Sequence, residues 1–78
     1  MDRKLAERLR AIEDRYEQLN LQLTDPAVLA DPARLQALAR EQRELGPLVD
    51  YYRQYRQALE HYQEAKRILE EENDDELR

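Results

Sequence analysis

Apolar residues recur in the first third of the chain at alternating steps of four and three residues. Between Leu5 and Leu23 the successive steps are 4, 3, 4, 3 and 4. This spacing places the apolar side chains along one face of an α-helix. Asp2 stands just before the stripe, where its carboxylate suits an N-cap. The pattern predicts a helix over residues 3–23, with a stripe of Leu5, Leu9, Ile12, Tyr16, Leu19 and Leu23.

Two Asp-Pro pairs interrupt the pattern, at Asp25-Pro26 and Asp31-Pro32. An aspartate before a proline supplies an N-cap followed by a first-turn residue that needs no amide donor. The first pair therefore predicts a short turn of helix and the second predicts the start of a long helix. Together they make residues 24–32 a double turn that closes one end of a hairpin.

The long helix is predicted over residues 32–72, with a shift of its apolar face at Gly46-Pro47. A helix kinks or breaks there, because Pro47 cannot donate to the carbonyl of Arg43. Two architectures follow: one kinked helix, or a turn at Gly46 that makes a three-helix bundle. The kinked helix is favoured because the sequence around Gly46 lacks polar capping residues. The fold class is thus all-α, an antiparallel helical hairpin in which the first helix should pack on Leu35, Leu38, Leu45 and Val49 of the second.

The end of the chain is acidic. Residues 70–78 carry six acids and one arginine, which accounts for the whole net charge of −5. Like charges three and four residues apart destabilise a helix. Residues 73–78 are therefore expected to fray.

Composition excludes most kinds of catalytic site. The chain has no Cys, no Ser, one His and one Gly among 78 residues. It lacks the residues for a Ser-His-Asp triad, a thiolate nucleophile or a glycine-rich phosphate loop. The longest apolar run is three residues, and no signal-peptide stretch opens the sequence. We expect a cytoplasmic, non-catalytic protein without catalytic, cofactor-binding or metal-binding residues.

A second stripe on the long helix carries most of the tyrosines and has no obvious partner within the chain. Tyrosine combines an apolar ring with a polar hydroxyl, which suits a surface that is buried in one state and wet in another. The stripe is either the core contact for a missing helix or a partner surface, and both interpretations require something outside these residues. The candidate partner surface consists of Tyr52, Tyr55, Leu59, Tyr62 and Leu69.

Two weaker signals lie in the same region. Arginines such as Arg53 and Arg56 stand among the tyrosines, a combination that binds single-stranded nucleic acid in some proteins. The overall pI of about 4.9 argues against that use. His61 is expected to be a solvated or interface histidine. Arg56–Glu60 and Arg67–Glu71 are spaced for ion pairs along the helix.

The ordered combination of these features resembles the N-terminal domain of bacterial class-one peptide chain release factors, and most of all the type that reads UAA and UAG. The resemblance extends from about residue 5 to residue 77. It rests on the two Asp-Pro pairs and on a series of later positions: Arg34, Leu38-Ala39-Arg40-Glu41, Leu45, Pro47, Val49, Tyr52, Tyr55, Ala65-Lys66 and Leu69-Glu70.

The resemblance implies a non-catalytic role. In such factors the stop codon is read in a second domain, and peptidyl-tRNA hydrolysis depends on a Gly-Gly-Gln loop in a third, so neither function carries over to a residue here. The first domain lies by the GTPase-associated centre of the large ribosomal subunit, near the stalk-base protein. The implied partners are the ribosome, the remaining domains of the factor and the class-two release-factor GTPase.

Two rival functions remain open at this point. One is a free-standing coiled-coil adaptor that dimerises through the tyrosine stripe, and self-association of the isolated fragment belongs to the same hypothesis. The other is a helical hairpin that binds nucleic acid.

Overall fold

The computed structural model describes the backbone of residues 2–77 and the side chains of residues 2–74. It contains three helices, α1 (Arg3–Gln22), α2 (Pro26–Leu29) and α3 (Pro32–Leu77), and no strand within that range. Contacts between α1 and α3 run in opposite chain directions, which makes the two helices antiparallel. The predicted all-α hairpin is confirmed.

Aspartates begin the helices as the sequence predicts. The Asp2 carboxylate accepts a hydrogen bond from the amide of Lys4. The Asp25 carboxylate accepts from the amide of Ala27 at 2.9 Å, with Pro26 as the first residue of α2. Asp31 accepts from the amide of Arg34 at 3.3 Å at the start of α3. These bonds satisfy amides that have no partner inside the helices.

The long helix is continuous across Gly46-Pro47 and is kinked, so the alternative of a turn and a three-helix bundle is wrong. α1 forms ion pairs with α3 on both sides of the proline. Arg15 binds Glu41 before it, and Glu13 binds Arg53 after it. Because α1 is anchored on both sides, it supports the segment where α3 loses a backbone hydrogen bond.

The end of α3 differs from the predicted bound. The helix continues to Leu77, beyond the expected end at residue 72. Fraying of residues 73–78 concerns the opening of the helix end in solution and stays a prediction.

Among the side chains of residues 2–74, three are fully buried: Leu19 of α1, Val28 of α2 and Val49 of α3. The sequence predicts that residues 27–29 fold back to close the end of the hairpin, and the burial of Val28 agrees with that prediction. Val28 is buried because the short α2 folds back onto α3 and closes the end of the hairpin. Leu5 was expected in the core but is 47% exposed. It lies in the first turn of α1, at the open end of the hairpin, where no third element covers it.

The molecule is elongated, with extents of 67 × 23 × 15 Å. A helix of 46 residues is about 69 Å long, so α3 alone sets the length. The cross-helix contacts of α1 reach no further along α3 than Arg56 among the ion pairs. Every described side chain from Glu60 to Asp74 is exposed. We call residues 60–77 of α3 the distal segment.

Candidate functional site

The candidate site is an apolar surface that begins beside α1 and continues along the distal segment. Its first part is an open groove of about 360 Å³ between the N-terminal half of α1 and the middle of α3. The groove is lined by Leu5, Leu9, Leu48, Tyr51, Tyr52 and Tyr55. Such a concave, largely apolar surface suits the side chains of another helix better than a polar small molecule.

The structure divides the predicted partner surface into two parts. Tyr52 and Tyr55 line the groove, and Tyr52 is half-buried while Tyr55 is 46% exposed. Leu59 is half-buried and lies beyond the groove. Tyr62 and Leu69 lie on the distal segment, 65% and 61% exposed. The expected lack of an intramolecular partner therefore applies to the distal residues and only partly to Tyr52.

Sequence reasoning missed Leu5, Leu9 and Tyr51 as members of this surface. The periodicity assigned Leu5 and Leu9 to the hairpin core, because it cannot show where the partner helix leaves a side chain uncovered. Tyr51 is 77% exposed and lines the groove. The sequence could have identified Tyr51 as part of this surface, since it lies three residues after Leu48 and four before Tyr55 on the same helical face.

Ion pairs fix the polar side of the hairpin. Arg15 donates two parallel hydrogen bonds, of 2.9 and 2.8 Å, to the carboxylate of Glu41. This two-point geometry makes arginine–carboxylate pairs specific. Glu13 accepts from Arg53 at 2.9 Å and from Arg56 at 3.3 Å. These contacts hold α1 in one register on α3.

The same pairs shift the pKa values of the carboxyl groups. Hydrogen bonding to Arg53 lowers the pKa of Glu13, and burial opposes that shift without overcoming it. Hydrogen bonding to Arg15 likewise lowers the pKa of Glu41. Both carboxylates are thus held in the charged form. Their environments serve ion pairing and do not separate an acid from a base, as acid–base catalysis requires.

The arginines near the tyrosines are largely occupied. The spacing along the helix predicted that Arg56 pairs with Glu60, but Arg56 pairs with Glu13 of α1 instead. Its guanidinium lies 5.2 Å from the centre of the Tyr52 ring. Arg53 is held by Glu13 and Glu17. The predicted Arg67–Glu71 pair is present. Because Glu13 and Glu17 neutralise Arg53 and Arg56, the surface near the tyrosines lacks the positive charge that would attract a nucleic-acid backbone.

No cluster of three or more metal-ligating side chains occurs in the described part of the chain. His61 is exposed on the distal segment, as expected. None of the helices in residues 2–77 is both long and apolar enough to cross a membrane.

Comparison with known proteins gives a consistent result. A family model described as the PCRF domain matches residues 12–78. Peptide chain release factor 1 of Bacillus subtilis is 47% identical over 74 residues, which cover 95% of this chain and 21% of that protein. Peptide chain release factor 1 of Shouchella clausii is 45% identical over 73 residues, or 94% of this chain and 20% of that protein. The chain spans about a fifth of the length of these relatives. No solved structure matches it significantly.

Proposed function

Because this chain belongs to the PCRF domain family, we propose that it is the helical first domain of a bacterial translation termination factor. The family resemblance predicted from the Asp-Pro pairs and the later positions is confirmed. The proposed role is non-catalytic: the domain docks on the ribosome while other parts of the factor read the stop codon and promote hydrolysis. Such a domain would act in the cytoplasm, where translation takes place.

One observation carries this proposal. The similarity to peptide chain release factor 1 of Bacillus subtilis extends over 95% of the chain but only 21% of that relative. A continuous match of this kind is what one domain of a longer factor gives. A single glycine also leaves these 78 residues without a Gly-Gly-Gln sequence. Chemistry on peptidyl-tRNA would then belong to a part of the factor outside this segment.

The proposed docking place is the GTPase-associated centre of the large subunit, near the stalk-base protein. The shape of the hairpin supports this proposal, since a rod 67 Å long can reach from the body of a factor to a distant ribosomal element. Ion pairs between α1 and α3 stiffen the covered half of the rod. A stiff extension holds its far end in a defined place, which reduces the ordering cost of binding. The class-two release-factor GTPase is the second proposed partner, because its action would be coupled to the same ribosomal centre.

The apolar surface is the proposed contact for structures outside this segment. Tyr62 and Leu69 are more than half exposed and share one helical face with Tyr55. The remaining domains of the factor are one source of a cover for them. This exposure also favours a second candidate function, an adaptor that self-associates through the tyrosine stripe.

A chimera tests the main proposal. The matching segment of peptide chain release factor 1 of Bacillus subtilis is replaced by this chain, and single-round peptide release and factor turnover with the class-two GTPase are measured. We expect release and turnover close to those of the parent factor. A second chimera with Leu19→Asp, which breaks the buried core, should keep release and lose turnover. Equal turnover for the intact chimera and for a factor that lacks the segment would refute the proposal.

A further inference from the structure

Helix α3 has a weak point in its backbone at Gly46-Pro47. Pro47 cannot donate a hydrogen bond to the carbonyl of Arg43, and glycine has the most conformational freedom of any residue type. Sharp bends in helices occur at prolines. An unsupported α3 would therefore bend over a range of angles at this point, and a single direction beyond it needs support from another part of the fold.

The contacts between α1 and α3 show which part of α1 lies at the weak point. Asn20 accepts a hydrogen bond from Gln42 at 2.6 Å, and Tyr16 packs at Gly46. The residue numbers of facing positions add to 62 in both contacts, which places Arg15 level with the proline. The middle of α1 thus lies beside the kink, where its side chains reach α3 on either side.

Before the kink, α3 is held by a packed core as well as by polar contacts. Leu19 of α1 and Val28 of α2 are fully buried on this side. Arg15 adds two hydrogen bonds to Glu41. Loss of any one polar contact would therefore leave this part of the hairpin in place.

After the kink, the apolar hold of α1 on α3 is weak. Val49 lies two residues past the proline and is buried, but residues 50–74 contain no buried side chain. Leu48, Tyr51 and Tyr55 line an open groove and are 53%, 77% and 46% exposed. Beyond Val49, the direction of α3 therefore depends chiefly on polar contacts with α1.

Glu13 makes the closest of these polar contacts. Its carboxylate accepts hydrogen bonds from Arg53 at 2.9 Å and from Arg56 at 3.3 Å, so one side chain of α1 binds successive turns of α3. The Glu13 side chain is 12% exposed, whereas Glu71, which pairs with Arg67 on the distal segment, is 62% exposed. Solvent screens a partly buried pair less than an exposed one. The Glu13 contacts are therefore stronger than the ion pairs along the helix surface.

From this arrangement we infer that Glu13 is a clasp on a hinge in α3. With the clasp closed, α3 runs through the kink in one direction. With the clasp open, the distal segment swings about Gly46-Pro47, since hinges are a few residues that absorb a change in backbone angles. The core around Leu19 and Val28 stays folded in both states. The inference concerns the bend of α3 and does not rest on the proposed function.

The distance between two spin labels across the kink tests the hinge. The chain has no cysteine, so Gln36→Cys and His61→Cys place one label on each side. Both positions are exposed, and they lie 25 residues, or about 38 Å, apart along α3. Double electron–electron resonance on the labelled 78-residue chain should give one narrow distribution of distances.

Opening the clasp should broaden that distribution. We expect Glu13→Gln to raise the fraction of molecules outside the parent peak about fivefold, the order that follows from losing one partly exposed ion pair. Arg53→Gln removes the shorter contact from the other side and should act in the same way. Helicity measured by circular dichroism checks that each variant keeps its fold. An unchanged narrow distribution in both folded variants would overturn the inference.

Two further variants show whether the effect belongs to the hinge. Arg67→Gln breaks ion pairs within the distal segment and should leave the distribution narrow. Pro47→Ala restores the missing backbone donor, so Glu13→Gln in that background should no longer broaden the distribution. Equal broadening with and without Pro47 would place the motion elsewhere and contradict the inference. None of these results affects the chimera experiment, which tests ribosomal function separately.

Discussion

The ring of Tyr16 in α1 lies against Gly46 in the middle of α3. A Cβ built on Gly46 would stand 3.6 Å from Cε1 of Tyr16, an ordinary van der Waals distance. Gly46 also has no positive φ. Neither the close approach of α1 nor a positive φ therefore requires a glycine at this position, although glycine before Pro47 avoids the contact between the proline Cδ and a Cβ in helical backbone.

Replacing Gly46 with alanine should stabilise the hairpin. Alanine loses less backbone freedom in a helix than glycine, and the added methyl group makes a normal contact with Tyr16. The Cδ of Pro47 opposes part of this gain, because it disfavours helical backbone at a preceding residue that has a Cβ. We expect Gly46→Ala to raise the free energy of unfolding by at most about 0.5 kcal/mol, measured by urea denaturation. Gly46→Leu is the matched variant that should destabilise, since its side chain overfills the contact. A loss of stability with alanine would contradict the helical geometry at this position.

The buried core depends on Leu19 more than on any other leucine of α1. Its side chain is fully buried, whereas Leu21 in the same helix is 73% exposed. Leu19→Ala should cost about 2–5 kcal/mol of unfolding free energy. Leu21→Ala, with the same chemistry in the same helix, should change it by less than about 0.5 kcal/mol. Similar losses for the two variants in thermal or urea unfolding would show that the assigned face of α1 is wrong.

Acid should weaken the hairpin through its ion-paired carboxylates. The pKa values of Glu13 and Glu41 are lowered in the folded state from their usual value of 4.5. A depressed pKa contributes stability that is fully present above the unfolded pKa and is lost as pH falls through the folded value. The contribution of these two groups to the free energy of unfolding should therefore be constant near neutral pH. It should decline below about pH 4.5, as the carboxylates become protonated.

The double variant Glu13→Gln, Glu41→Gln serves as the control for this pH dependence. It should be less stable than the parent at pH 7 and should lose less stability on acidification. An unchanged slope would mean that other carboxylates govern the acid response.

Exchange of backbone amides should differ between the two halves of α3. Residues up to about 56 are covered by α1, whereas the distal segment has only its own helical hydrogen bonds. Local opening needs little free energy where few side chains are buried. In dilute solution, amides of residues 60–74 should exchange much faster than those around Val49. Equal exchange rates in the two halves would contradict the assignment of the distal segment as uncovered.

Most of the fold could be predicted from the sequence because its signals are local. The Asp-Pro pairs set the helix starts, and the spacing from Leu5 to Leu23 identified the inner face of α1. The continuity of α3 through Pro47 was favoured but not settled, since the local sequence does not show that α1 contacts α3 on both sides of the proline through Arg15 and Glu13.

The site was harder to predict for the same reason. Periodicity identifies a face but not how far a partner helix covers it. Leu5 therefore counted as core although it lies at the open end, and Tyr51 was left out of the partner surface. Arg56 was assigned to the nearby Glu60, whereas the fold brings Glu13 within reach. Contacts between distant segments decide these three cases.

The central claim, that this chain is a ribosome-docking domain, is tested most directly by its binding to isolated ribosomal subunits. The 78-residue chain is titrated against large subunits with and without the stalk-base protein, and against small subunits. We expect saturable binding to the complete large subunit, at least a tenfold loss without the stalk-base protein, and no saturable binding to the small subunit. Binding that is absent, or that is equal for all three particles, would contradict the account.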